Sequence, residues 1–502
     1  MADLHLKKIV IVGGGTAGWV AAAALAKFVG AVTEIELVES DDIATVGVGE
    51  ATIPQIIRLV GMLGLDEAQM MRACGATFKL GIEFNNWGKL GDSYLHTFGH
   101  NGINFNHLDF HHYWLRAKKG GSDSDFWDYS FHHKAAYADK FGHVQELGKS
   151  GVSGLSYAYH FDAGLFAQFL RKWTESKGVK RTEGKIVDVS LDAESGYIQS
   201  VALENGDAVG GDLFIDCSGF RGLLIGQALG VDYQDWSKWL PANRAVAVPS
   251  ARSGPLLPYT KATAHQAGWQ WRIPLQHRTG NGHVFCSDFM KPEEAEDILL
   301  QNLDSEPIAD PRHLRFTTGR RDKFFHKNCL ALGLSSGFME PLESTSIHLI
   351  QAGVNKLIEL FPGGNFSEAL ASEYNRQFIT EFDLIRDFLI LHYHQTDRVD
   401  SEFWRYCKNM DIPDSLKAKM ALFKETGIIH KDHADLFTQA SWAQVMLGQG
   451  LMPQNYHARA GGLSDQQLID LLSSIEKITD RGVSGLNGHN DYIERYCKSD
   501  LQ

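Results

Sequence analysis

The sequence predicts an α/β chain: a parallel strand-helix-strand unit at the start and an α-helical part at the C-terminal end. Three observations predict it. Residues 7–12 (KKIVIV) are a short apolar run ending in glycines, an Ala-rich stretch runs from Thr16 to Phe28, and residues 34–40 (EIELVES) form a second run. That succession is the signature of a βαβ crossover. Residues 212–219 (DLFIDCSG) read as one more buried strand. After Thr345 the character changes to long helical stretches, at 345–361, 369–393 and 464–478.

The remaining elements follow in order. Residues 61–76 read as helical, and residues 90–155, rich in Gly, His and aromatics, read as irregular. Residues 160–179 form an amphipathic helix with Gly178 as its stop. The segments 185–192 and 197–206 alternate as an antiparallel hairpin does, and 262–290 is β-rich. No internal repeat, low-complexity segment or flexible linker interrupts the chain.

Bulk composition excludes several function classes. With 502 residues and 44% hydrophobic content, the chain can bury a large core and is too long for one simple domain. Its net charge is -13, so nucleic acid and anionic membranes are poor partners. The six cysteines are scattered without a CxxC pair, which signals neither a zinc site nor a redox dithiol. Their sparsity fits a reducing compartment. The first residues run into a strand pattern without a leader-peptide layout, and no apolar run reaches membrane-spanning length. The expectation is a soluble cytoplasmic protein that holds no metal.

Gly13-x-Gly15-x-x-Gly18, with Thr16 and Ala17 inside it, follows the first strand and opens the first helix. Glu39 ends the second strand, where a ribose-binding acid is expected. Gly13 permits a tight turn, Gly15 lets the backbone approach a pyrophosphate, and Gly18 allows close packing. The helix N-terminus then offers unpaired N–H groups to phosphates. This is a Rossmann-like dinucleotide site, and the fingerprint alone leaves NAD and FAD open. Asp216-Cys217-Ser218-Gly219 favours FAD, because it resembles the strand end by which flavin monooxygenases of the hydroxylase type return to their FAD domain.

Four further segments resemble the flavin-dependent halogenases, the family whose best-known members act on tryptophan. They are Gly47 to Pro54 (GVGEATIP), Thr77 to Gly81 (TFKLG) running into Phe84-Asn85-Asn86-Trp87, Trp269 to Pro274 (WQWRIP), and Pro341 to Thr345 (PLEST). The resemblance spans Gly13 to about residue 350 in the expected order, and the helical tail matches more weakly. It implies a flavin-monooxygenase-type fold. Residues 1–360 would form the FAD-binding and halogenation domain with an inserted β-rich substrate part. Residues 361–502 would form a helical domain covering the substrate pocket. It also implies FADH2 from a separate flavin reductase, O2, and chloride or bromide, which together yield hypohalous acid. An electron-rich, indole-type ring then takes the halogen. A homodimer is compatible with the resemblance.

Residue roles carry over by motif. Lys79 matches the essential lysine, acting either as an ammonium that hydrogen-bonds hypohalous acid or as an amine that forms a haloamine. Glu343 matches the essential glutamate that stabilises and deprotonates the attacked ring. Thr345 and Ser346 match the backbone halide site; tryptophan enzymes usually have glycine where Ser346 stands. Gly49 and Ala51 lie in the loop that covers the flavin, and Leu334 and Ile347 match flavin contacts. His96 and Phe98 match the pair that sandwiches the substrate. Trp269 and Trp271 share a strand face and either wall the substrate space or pack in the core.

Two lookalikes are weaker. Gly333-x-Ser335-x-Gly337 has the form of a hydrolase nucleophile elbow, but Pro341 argues against the helix that elbow requires. The pairs His111-His112 and His132-His133 lack metal-ligand spacing. A flavin-dependent aromatic hydroxylase is the alternative reading. Enzymes acting on free tryptophan grip its amine and carboxylate with acidic and polar groups of a C-terminal lid. The corresponding stretch here, Ser441 to His457, contains no Asp or Glu, so free tryptophan is not the expected substrate.

Overall fold

The computed structural model describes residues 5–42 and 49–501, so Gly47 and Val48 of the flavin-loop motif lie outside the described residues. The chain forms two compact units. The first comprises residues 1–75, 161–237 and 315–382; the second comprises 76–160, 238–314 and 383–502.

In the first unit the apolar run Lys8–Val12 is a central strand because both its faces are covered. It pairs in parallel with Glu34–Glu39 on one side and Leu213–Asp216 on the other. Lys180–Glu183 extends the sheet beyond Glu34–Glu39, and Cys329–Ala331 extends it beyond Leu213–Asp216. The predicted crossover helix runs from Thr16 to Phe28. Helix Ala163–Glu175 follows Asp162, whose carboxylate accepts from the N–H groups of Gly164 and Leu165. The predicted hairpin is present as Ile186–Leu191 against Ile198–Leu203.

The second unit is built on a mixed sheet. Strand Arg278–Phe285 lies between Arg244–Ala251 and Gly268–Pro274, and Thr260–His265, Gly81–Asn85 and Ser93–Thr97 follow in that order. The stretch expected to be irregular contains ordered elements, including strand Ser93–Thr97 and helices Phe110–Lys119 and Phe131–Tyr137. Aromatic density there reflects a core, since Phe110, Trp114, Phe126 and Phe131 are all buried. Helix Glu368–His394 begins in the first unit and continues into the second. The later helices Glu402–Asn409, Asp414–Thr426, Gln439–Gly448 and Asp465–Ser484 belong to the second unit. Among the described residues, no helix is long and apolar enough to cross a membrane.

Candidate active site

The first unit assembles a phosphate cradle. Gly13 has φ +112°, and a Cβ there would lie 2.3 Å from the carbonyl oxygen of Cys217. Only glycine satisfies both constraints. A Cβ on Gly18 would meet the Gly13 carbonyl oxygen at 1.8 Å, so this glycine closes the turn on itself as well as facing Leu37. Gly15 is the N-cap of the first helix and supplies no side-chain cap. The first-turn N–H groups therefore have no capping side chain and suit a pyrophosphate.

Glu39 reaches the same loop, since a Cβ on Gly14 would overlap its Oε2. Its Oε1 accepts from Arg181 Nε at 2.6 Å, and Arg171 Nη1 stands 3.5 Å away. The carboxylate is thus held in place at the strand end. Gly333 brings the next segment in: a Cβ there would lie 2.7 Å from the Ala17 methyl. Leu334 occupies that turn, and Ile347, buried, lies in the first turn of helix Ser346–Glu359. The predicted contacts Thr16, Ala17, Leu334 and Ile347 thus belong to segments of one unit. Gly49 and Ala51 belong to strand Gly49–Ala51. These features fit FAD.

The serine lookalike is resolved by its bonding. Ser335 is buried, and its one hydroxyl proton is shared between the carbonyl oxygens of Asp216 and Leu332. Asp216 in turn organises the DCSG turn. Its Oδ1 accepts from Ser218 N and Oγ, and its Oδ2 accepts from the N–H groups of Leu224 and Ile225. Both groups are structural pins, and a nucleophile elbow does not form.

Glu343 closes a short turn, Pro341–Glu343, and is 1% exposed. Ser344 follows at φ +57°, and Thr345 is the N-cap of the Ser346 helix. Thr345 makes no capping bond, and its buried hydroxyl has no hydrogen-bond partner among the described residues. The start of a 14-residue helix is therefore left uncapped by a side chain. That arrangement suits a small anion, which completes the N–H shell without a cationic side chain.

The second unit carries the lysine. Lys79 ends strand Thr77–Lys79 and has 0% exposure, so its motif environment is confirmed as interior. Its Nζ lies 5.2 Å from the centre of the Phe98 ring. The backbone explains the meeting: Phe98 N donates to Leu80 O at 3.0 Å, in the pairing that continues from Gly81 opposite Thr97. His96 is buried against Phe388 and Phe437, with ring centres at 5.6 and 6.3 Å.

A histidine not foreseen from the sequence sits beside this strand. His160 pairs with Thr77 across an antiparallel ladder, and its ring touches two hydroxyls, Thr77 Oγ1 at 3.0 Å and Thr260 Oγ1 at 2.9 Å. Thr77 spends its one hydroxyl proton on Pro274 O, at 2.8 Å. His160 Nδ1 must then be the donor to Thr77, and Nε2 accepts from Thr260. Burial, reinforced by the nearby Lys79, holds this imidazole well below its ordinary pKa and hence neutral. No local motif flags it: the sequence pattern starts a helix at residue 160, whereas His160 lies in strand Ala158–Asp162 and the helix begins at Ala163. Pro274 also ties the double-tryptophan strand to the lysine strand. Trp269 and Trp271 share a face, 6.1 Å apart, and Trp269 packs on Trp87 at 6.2 Å within an aromatic core.

The stretch compared with a substrate lid, Ser441 to His457, begins inside helix Gln439–Gly448. Trp442 is fully buried, donates to Asp435 Oδ2 at 3.1 Å, and carries Lys419 Nζ 3.9 Å from its ring centre. It serves the core.

Comparisons with known proteins agree with this chemistry. The tryptophan halogenase family model matches residues 8–465. Tryptophan 6-halogenase SttH of Streptomyces toxytricini is 38% identical over 445 residues, 83% of this chain and 84% of that protein. Tryptophan 7-halogenase RebH of Lentzea aerocolonigenes is 34% identical, covering 89% and 90%. Among solved structures, the flavin-dependent halogenase Xcc4156 from Xanthomonas campestris superposes with a TM-score of 0.96 at 47% identity, over 99% of both chains. BrvH, a flavin-dependent halogenase from Brevundimonas sp. BAL3, gives 0.95 at 41%, over 98% of this chain and 100% of that one. By the family match over nearly its whole length and these relatives, the chain, with its nucleotide cradle, uncapped helix start and buried lysine, belongs to the tryptophan halogenase family and is an FADH2-dependent halogenase.

Proposed function

We propose that this enzyme halogenates an indole-type ring other than free tryptophan, with Lys79 delivering the halogen. The carrying observation is Lys79 itself, fully buried with its Nζ beside Phe98. The first-unit cradle formed by Gly13, Gly15, Thr16, Ala17, Gly18 and Glu39, with Gly49, Ala51, Leu334 and Ile347, would hold FADH2 brought by a separate reductase. When bound, reduced flavin supplies with O2 the oxidising power that converts halide to hypohalous acid. The backbone at Thr345 and Ser346 holds chloride or bromide. Lys79 Nζ takes up the hypohalous acid and presents its halogen. His96 and Phe98 hold the ring, with Trp269 and Trp271 backing that side. The oxygen of the hypohalous acid leaves as water when its bond to the halogen breaks, and a Glu343 carboxylate oxygen accepts the proton that the halogenated ring carbon releases.

Two observations support a substrate other than the free amino acid. Ser441 to His457 contains no acid, and Trp442 and Asp435 are committed to each other. The reading extends to a cytoplasmic location. The test is a coupled assay with FAD, NADH, a flavin reductase and bromide. Indole and tryptophan are offered separately, and products are read by mass. The expected product is bromoindole with its two-isotope pattern, and little bromotryptophan. A gain of one oxygen, or tryptophan turnover well above that of indole, sinks the reading.

A further inference from the structure

The strand that carries Lys79 is short and is held by side chains as well as by backbone. Thr77–Lys79 pairs with Ala158–His160 along one edge, and no strand pairs with its other edge among the described residues. Successive residues of a strand face opposite ways, so Thr77 and Lys79 share one face with their partners His160 and Ala158. Phe78 takes the other face, where its ring stacks on Phe141 at 4.0 Å and meets Tyr157 at 5.6 Å. Of the two partners on the lysine face, Ala158 is small, so His160 is the one that can brace it.

His160 is the middle of a directional chain. Thr260 Oγ1 donates to its Nε2, its Nδ1 donates to Thr77 Oγ1, and Thr77 Oγ1 donates to Pro274 O. Thr77, His160 and Thr260 are all buried, so these bonds are made away from water. The chain joins four strands, from Thr260–His265 through Ala158–Asp162 and Thr77–Lys79 to Gly268–Pro274. A satisfied buried network fixes its members, because a broken link leaves a polar group unpaired. Just past the lysine the backbone is pinned again: Leu80 N donates to Pro258 O at 2.7 Å, and Leu80 O accepts from Phe98 N. Lys79 therefore lies between two fixed points, one of them made by side chains. The groups whose charge bears on His160 are Lys79 and His489. His489 is itself neutral, with Nδ1 2.6 Å from Leu256 O and a pKa pushed down to about 4 by burial. With both imidazoles neutral, Lys79 has no second cation beside it.

We propose that His160 is a positioning residue for halogen delivery: through Thr77 it holds the Lys79 strand so that Nζ stays beside Phe98 and intercepts hypohalous acid before the acid escapes. This role rests on the reading that Lys79 takes up the acid. The full enzyme is assayed with FAD, NADH, a flavin reductase, bromide and indole, with a 1,3-diketone trap in excess. Bromoindole reports delivery, brominated trap reports escape, and their sum reports halide oxidation. The ratio of bromoindole to brominated trap is expected to fall about tenfold in His160→Leu and about threefold in Thr260→Val, which removes one bond of the chain. The sum and the bromide KM stay at their wild-type values. His160→Gln keeps the ratio within about twofold of wild type, because its amide offers a neutral donor and acceptor as the ring does. Thr260→Val carries the test where His160→Leu does not fold. A wild-type ratio in Thr260→Val, bromoindole and brominated trap falling together, or a His160→Gln enzyme as poor as His160→Leu overturns the role. Lys79→Met separates this role from the reading beneath it. A wild-type ratio in Lys79→Met removes delivery by the lysine. Diversion to the trap in Lys79→Met without diversion in Thr260→Val removes the role of His160 alone.

Discussion

Lys79 and the start of the Ser346 helix are built in opposite ways. At Lys79 the chemistry sits on a single side-chain nitrogen, sealed inside a strand with Phe98 on one side and a neutral His160 nearby. At Thr345 and Ser346 it sits on the backbone, at a helix end that no side chain caps. The difference has a mutational consequence. A side-chain function disappears with one substitution. A backbone function cannot be deleted that way; it can only be opposed.

Lys79→Met therefore carries the largest expected effect. The thioether fills the same space, so the fold and FAD affinity should persist, with Tm within about 5 °C of wild type. Bromination of indole should fall below detection. Equal product from wild type and variant would mean that freely diffusing hypohalous acid does the work, and the contrast between the two regions would collapse.

Acid separates the two units next. His132, His283 and His489, all in the second unit and all at least nine-tenths buried, are pushed down to about 3, about 4 and about 4, in each case chiefly by burial. The folded state then binds fewer protons than the unfolded chain between those values and about 6.5. Stability rises with pH across that window and is lost as pH falls below about 6.5. At pH 5.5 each histidine costs about 1.4 kcal/mol, roughly 4 kcal/mol for the three. Hydrogen exchange at pH 5.5 should release helix Phe131–Tyr137 and strand Arg278–Phe285 before strand Lys8–Val12. Simultaneous release, or an unchanged Tm between pH 7.5 and 5.5, would contradict this assignment.

Opposing the helix dipole comes third. Thr345→Asp places a carboxylate where the halide is proposed to bind. The apparent KM for bromide should rise about tenfold or more, and the carboxylate, buried two residues from Glu343, should lower folding stability rather than raise it. A KM unchanged from wild type would place the halide elsewhere.

Legibility in the sequence followed the physics of each region. The fingerprint was readable because a pyrophosphate turn needs glycines at fixed spacing, and the structure gives Gly13 and Gly18 steric reasons for that spacing. Lys79 and Glu343 stand out as candidates only through motif resemblance, since nothing local distinguishes them from a surface lysine or a helix-start acid. In the 90–155 stretch buried aromatics on every side erase the alternation that marks an amphipathic element, so the sequence reads as irregular where the structure has strand Ser93–Thr97 and helices Phe110–Lys119 and Phe131–Tyr137. Its stop signals were nevertheless present: helix Phe110–Lys119 ends in Arg116, Lys118 and Lys119, then Gly120. His160 acquires meaning only through partners far along the chain, which no periodicity reports.

The smallest expected effect is the sharpest test of the contrast. By the motif resemblance Ser346 stands where tryptophan enzymes usually carry glycine, and its hydroxyl is a side-chain difference at the proposed halide site. If the anion is held by N–H groups, Ser346→Ala removes nothing that binds it. Both residues keep the N–H, and alanine favours the helix slightly. The KM values for chloride and bromide should each stay within about twofold of wild type, and their ratio should not move. A tenfold change in that ratio would show that the hydroxyl selects the halide. The helix start would then use a side chain after all, as the lysine strand does.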